Sequence, residues 1–225
     1  MAFALEDLSA SGHGGAPVPL LRFAQSEPTD HLAVMLPGLR SRCEQPLLSL
    51  PTQLLRDAGA DVLWVRYAYD LQPAWETVSA EERRAWLRAD VTAALVAALA
   101  HRPYRRITLV AKSLGTAALG HLLDATPWDP ATAVSAVWLT PLTRSELLRR
   151  QIAARPVRSL FVVGEADREH DPAGQEEVRA ATGGEVLLIP GARHALEGAD
   201  VWQTMAILER ILRALAGFLE LRGPG

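Results

Sequence analysis

The sequence is poor in cysteine and in lysine. Cys43 stands alone, so no intramolecular disulfide can form, and the chain lacks the cysteine framework of a small secreted scaffold. Of the 23 basic residues all but Lys112 are arginine, a bias that fits GC-rich coding and carries little functional weight alone. Those residues are spread along the chain and offset by 26 acidic ones, giving a net charge of −3. A nucleic-acid footprint needs a basic face, which this distribution does not provide. Long hydrophobic runs are also missing: the longest apolar helical stretch, residues 91–100, reaches about half a membrane span. The opening MAFALEDLSASGHGG has neither the basic region nor the long apolar run of a signal peptide. These absences predict a soluble, cytoplasmic protein without nucleic-acid or membrane partners.

What is present is enough apolar material for a sizeable core, 49% of 225 residues, a length that one α/β domain commonly reaches. No repeat and no linker divides the chain, so one domain over residues 1–225 is expected. A patch rich in Gly, Ser and Pro near residues 9–19 predicts a loosely ordered N-terminal segment over residues 1–19. Short apolar runs at 31–36, 61–67, 107–111, 133–140, 157–164 and 185–190 read as buried strands. Helical patterns lie between them, near 44–58, 79–101, 114–124, 143–154, 173–182 and 200–221. This alternation predicts an α/β fold with a mainly parallel, doubly wound sheet and helices on both faces. The segment PVPLLRFAQ can add one or two strands at the start. In such sheets ligand sites form beyond the carboxyl ends of the strands.

After the strand RRITLVA the chain reads Ala111-Lys112-Ser113-Leu114-Gly115 and runs on as a helix. This is the strand, turn and helix setting of a G-x-S-x-G nucleophile elbow, with Ala in the first Gly slot. The serine of such a turn sits at φ > 0, and that demands small residues two before and two after it. Ala111 and Gly115 meet the demand. Alone, the motif is weak, since a Ser-x-Gly turn between strand and helix can be purely structural. Its force depends on partners.

An acidic loop, Glu165-Ala166-Asp167-Arg168-Glu169-His170-Asp171, follows the strand at 157–164, and Gly191-Ala192-Arg193-His194 follows the last strand. Ser, Asp and His thus arrive in the chain order of an α/β-hydrolase triad, each on a loop after a strand. On these residues the chain from about His31 onward resembles the α/β-hydrolase superfamily, specifically its small serine hydrolases without a large lid, of dienelactone-hydrolase or carboxylesterase type. The resemblance implies Ser113 as nucleophile, His194 as general base and then acid, and Asp167 as the group that orients the imidazole. Asp171 and Glu165 remain alternatives for the acid, and His170 for the base. Asp167, His170 and Asp171 also invite a metal reading, but their spacing matches no strong zinc pattern. His13-Gly14-Gly15 looks like the HGGG oxyanion motif of some lipases, yet it precedes the early strands and reads as a flexible loop.

An acyl-transfer site needs two N–H donors for the developing oxyanion. The elbow supplies one from Leu114. The resemblance points to Leu39 for the other, in the loop Pro37-Gly38-Leu39 after the strand at 31–36; here Pro37 replaces the family's frequent His. Arg40 and Arg42 follow, and a guanidinium there suits an acidic substrate, although arginine is abundant throughout the chain and a surface charge is the favoured reading of either. Tyr67, Tyr69, Trp75 and Trp138, at or beyond strand ends, are candidates for an apolar wall; Tyr67 and Trp138 are the possible substrate contacts alongside Arg40. Only residues 141–156 separate two of the strands where the family often inserts a cap, which predicts an open or shallow pocket. Nothing demands a cofactor or a metal.

These residues predict a hydrolase of carboxylic esters or thioesters acting on a small-molecule acyl substrate. The same constellation can carry acyl transfer or peptide cleavage, and a hydrolase fold can also persist as a catalytically inactive binding or scaffold module. Lys112 fills the variable slot before Ser113. A Ser-Lys dyad would require strong desolvation of its ammonium and would leave His194 and Asp167 idle. A salt bridge beneath the elbow is the expected role.

Overall fold

A computed structural model describes residues 2–221. Eight strands form one sheet: β1 (Phe3–Ser11), β2 (Pro17–Gln25), β3 (His31–Leu36), β4 (Asp61–Val65), β5 (Arg106–Lys112), β6 (Ala133–Leu139), β7 (Arg158–Gly164) and β8 (Glu185–Ile189). Their spatial order is β1-β2-β4-β3-β5-β6-β7-β8. β1, β2 and β4 pair antiparallel; all pairs from β4 through β8 are parallel. The connecting helices are α1 (Pro46–Asp57), α2 (Pro73–Thr77), α3 (Ala80–Leu99), α4 (Leu114–Ala125), α5 (Glu146–Ala154), α6 (Pro172–Thr182) and α7 (Val201–Phe218).

Helix starts follow local chemistry. Ser79 and Glu82 close a capping box on α3, Ser145 and Asp200 cap α5 and α7, and proline stands in the first turn of α1, α2 and α6. Each arrangement satisfies or removes an N–H that the first turn leaves unpaired. Strand residues alternate between two apolar layers. Leu32, Val34 and Leu36 face the layer under α3 and α4, whereas Ala33 and Met35 face the one under α1 and α7. Both faces of the parallel sheet are therefore buried, which is why its strands read as continuous apolar runs.

The start of the chain departs from expectation. Residues 2–19 do not form a loose segment: β1 and β2 pair in register from Phe3 opposite Gln25 to Ser11 opposite Pro17, and Met1 lies outside the described residues. The His13-Gly14-Gly15 stretch is the tight turn of this hairpin. It is held by the His13 N–H on Asp90 Oδ1 at 2.8 Å and by stacking of the His13 ring on Trp86. The glycine-rich patch thus marks a turn between two strands. No helix among the described residues is long and apolar enough to cross a membrane.

Candidate active site

Strand β5 delivers Ser113 to the carboxyl edge of the sheet. Its backbone adopts φ 52° and ψ −115°, a strained conformation for a residue with a β-carbon. Three hydrogen bonds fix the turn: Ser113 N–H donates to Leu139 O, while the Thr116 N–H and the Thr116 hydroxyl both donate to Ser113 O. The space around the elbow explains the small residues. A β-carbon on Gly115 would lie 2.0 Å from Leu36 O, so only glycine lets α4 start against the end of β3. Ala111 is fully buried.

The loops after β7 and β8 bring two more side chains to this serine. His194 Nδ1 lies 2.8 Å from Asp167 Oδ2, and His194 Nε2 lies 2.8 Å from Ser113 Oγ. A carboxylate only accepts, so Nδ1 carries the proton and Nε2 is left to accept from the serine hydroxyl. Asp167 is buried, and its second oxygen accepts the Glu169 N–H at 2.9 Å. The two loops are tied by the Ala166 N–H on Ala192 O. Gly164 permits that approach, since a β-carbon there would meet Ala192 O at 2.4 Å. Sequence reasoning passed over Gly164, though a glycine closing the strand run was its signal.

The structure does not bring Asp171, Glu165 or His170 to the serine. Asp171 starts α6, Glu165 Oε2 accepts the Gly191 N–H, and His170 Nδ1 is buried without a partner among the described residues. No group of three or more His, Cys, Asp or Glu side chains that could hold a metal ion occurs among the described residues.

The β3 loop lies directly against the elbow: a β-carbon on Gly38 would meet Ser113 Cβ at 3.1 Å. The N–H groups of Leu39 and Leu114 both lack a backbone acceptor among the described residues. Leu114 follows the serine in the chain, and Leu39 follows Gly38, which lies against it. An open cleft of about 740 Å³, bordered by Leu142, Arg168, Glu169 and Arg193, adjoins Ser113 and His194. Between β6 and α5 only residues 140–145 intervene, too few for a cap domain.

Two expected wall residues lie elsewhere. Trp138 is fully buried, stacked on Phe161 and donating its indole N–H to Ser159 Oγ. It sits near the strand end but points to the layer under the helices, so it is core and cannot touch a ligand. Tyr67 is also buried, in a stack with Tyr69 and Trp75, and its hydroxyl donates to Pro37 O at 2.7 Å. It braces the β3 loop from beneath, a role no sequence signal announced. Arg42 is held by Asp70 through both carboxylate oxygens, whereas Arg40 is exposed and has no carboxylate within 4.0 Å among the described residues.

Lys112 is buried, and no salt bridge beneath the elbow forms. Its ammonium donates to the backbone carbonyl of His194 at 3.3 Å, with no carboxylate within 4.0 Å among the described residues. Burial pulls its pKa below the ordinary lysine range, against the opposing fields of Asp167 and Glu197.

No family model and no curated protein matches the chain. Solved structures do. An esterase from Pyrococcus furiosus superposes with a TM-score of 0.72 at 12% identity, covering 97% of this chain and 92% of its own. A cold-adapted esterase from an Arctic intertidal metagenomic library gives a TM-score of 0.67 at 15% identity, covering 95% of this chain and 99% of its own. A Xanthomonas campestris α/β serine hydrolase without a lid gives 0.69 at 14% identity, covering 100% of this chain and 99% of its own. Strand order, elbow and these superpositions agree: the chain has the α/β-hydrolase fold in its lidless form.

Proposed function

We propose that the protein is a serine hydrolase that cleaves a small carboxylic ester or thioester through an acyl-enzyme intermediate. The observation that carries the reading is the unbroken hydrogen-bonded path from Ser113 Oγ through His194 to the buried Asp167, starting on a strained elbow. A serine hydroxyl is a poor nucleophile unless a base removes its proton in the transition state, and an imidazole oriented by a carboxylate does this near neutral pH.

Ser113 Oγ attacks the acyl carbon as its proton passes to His194 Nε2. The Leu39 and Leu114 N–H groups receive the oxyanion, and removing one such donor typically costs about 3 kcal/mol or more. The imidazolium, stabilised by Asp167, returns the proton to the leaving alcohol or thiol. Water, deprotonated by His194, then attacks the acyl-serine, releasing the acid and restoring the hydroxyl. The reading calls on a small-molecule acyl substrate alone, without cofactor, acting in the cytoplasm. Two of the superposed proteins are esterases, which favours ester over peptide cleavage.

A fluorophosphonate probe tests this: it should label the folded protein at neutral pH, and Ser113→Ala should abolish the labelling. Absence of labelling in well-folded protein would overturn the reading in favour of a binding or scaffold role.

A further inference from the structure

Apart from the open cleft, a cavity of about 320 Å³ lies between the β3 loop, the start of α1 and the start of α7. Its lining includes Lys112 and Ala195, the chain neighbours of Ser113 and His194. Ser41 also lines it, and Gly38 lies close to both Ser41 and the nucleophile, since a methyl there would meet Ser113 Cβ at 3.1 Å and Ser41 Oγ at 3.2 Å. Leu47, Leu196 and Leu208 give it an apolar floor.

Its polar groups are unbalanced in sign. Lys112 and Arg40 both line it, against a single carboxylate, Glu197. Lys112 is buried and, among the described residues, its ammonium makes one hydrogen bond, to a neutral carbonyl. An ammonium has three donors, and burial without a counter-charge is unfavourable. Neither Lys112 nor Arg40 has a carboxylate within 4.0 Å among the described residues, although Arg42 nearby is fully occupied by Asp70. The first turn of α1 also opens here. The Leu47 N–H has no acceptor among the described residues, and a helix start carries partial positive charge.

Resting on the hydrolase reading above, we propose that this cavity holds the acyl chain of the substrate and that the chain ends in a carboxylate. The substrate is then a half-ester or half-thioester of a short dicarboxylic acid. The apolar floor takes the methylenes, and the terminal carboxylate meets the Lys112 ammonium and the Arg40 guanidinium. The volume lies at the small end of ligand sites, which limits the chain to a few carbons. Water cleaves the ester to a free dicarboxylate and an alcohol, with no other reactant.

The test uses two esters of matched length, ethyl hydrogen glutarate and ethyl valerate, which differ by a terminal carboxylate in place of a methyl. Hydrolysis is followed by proton release at neutral pH. The wild type should favour the half-ester in kcat/KM by about tenfold or more, the scale of one charge-assisted contact. Arg40→Ala and Lys112→Met should each cut that ratio by about tenfold, Arg40→Lys should keep much of it, and Glu197→Gln should raise it. A wild-type ratio at or below one, or a ratio unmoved by Arg40→Ala, overturns the proposal. Arg40 is exposed, so its variant decides even if Lys112→Met fails to fold. Calorimetric titration of the Ser113→Ala protein with the same esters separates binding from turnover. Preferential binding of the half-ester, lost on adding Arg40→Ala, supports the site; equal binding of both esters overturns it. If the half-ester binds preferentially but is not hydrolysed and fluorophosphonate does not label, the anion site stands and the hydrolase reading falls.

Discussion

Both ends of the sheet bury polar groups, and they do so in opposite ways. At the amino end Asp61, with no exposed surface, accepts from the Gln25 N–H and the Tyr104 hydroxyl, each at 2.7 Å, and lies 3.6 Å from Arg102 Nε. Beside it His31 Nε2 pairs with Thr108 Oγ1 at 2.9 Å. Backbone there is unstrained and the carboxylate is well supplied with partners. At the carboxyl end Ser113 is strained, His194 is partly exposed, and the N–H groups of Leu39 and Leu114 have no backbone acceptor among the described residues. A burial map alone would rank Asp61 above His194. Donor capacity left unspent beside a strained nucleophile separates a site that awaits a ligand from a network that holds the fold.

Substitutions should divide along this line. The largest effect is expected of Ser113→Ala, which should lower ester hydrolysis by roughly a thousandfold or more while leaving the thermal midpoint within a few degrees. Asp61→Ala should do the reverse. It strands Arg102 and two donors in or near the core, a loss of about 3–5 kcal/mol in urea unfolding, with kcat of the folded fraction unchanged. An Asp61 variant that unfolds normally but loses kcat would erase the distinction.

Much of this was legible in the sequence, for reasons that particular residues display. The parallel strands are buried on both faces, so β3 and β5 announce themselves as apolar runs. Ser113, Asp167 and His194 each follow such a run in a fixed chain order, which is why the sequence could nominate the three side chains that the structure brings together. Strand β1 was not legible because it is an edge strand exposed along most of its length, and its pattern FALEDLSAS holds no core signal. Trp138 and Tyr67 were misjudged because nearness to a strand end does not tell which face a side chain takes. The Lys112 partner escaped because it is a backbone carbonyl 82 residues away, and carbonyls carry no sequence signature.

The next effect in size is a pH dependence of the amino end. Burial pulls His31 down from 6.5 to about 4, with Arg106 pushing the same way and Asp30 opposing. The unfolded chain therefore takes up a proton at higher pH than the folded one. The stability that His31 contributes is fully present above about pH 6.5 and is lost as pH falls toward 4, amounting to about 3 kcal/mol over that window. Urea unfolding of the wild type and of His31→Gln at pH 7 and pH 4.5 checks this. The wild type should lose more stability on acidification than the variant, and His121, lowered by burial in the same direction, should leave a residual loss in both.

The smallest effect tests a hydrogen bond that joins the apolar interior to the proposed oxyanion loop. The Tyr67 hydroxyl holds Pro37 O at 2.7 Å, two residues before Leu39, and the same ring stacks on Tyr69 with centroids 4.8 Å apart. Tyr67→Phe keeps the stack and deletes the hydroxyl, leaving a buried carbonyl short of a donor, a loss of about 1 kcal/mol in unfolding. If the bond only adds stability, kcat should not change. If it fixes the turn that presents the Leu39 N–H, kcat should fall by about threefold to tenfold with KM little altered, because the oxyanion exists only after attack. A drop confined to KM would instead assign Tyr67 to the shape of the neighbouring cleft. The kcat result is the expected one, since Gly38 stands between Pro37 and Leu39 and offers no side chain of its own to hold the turn.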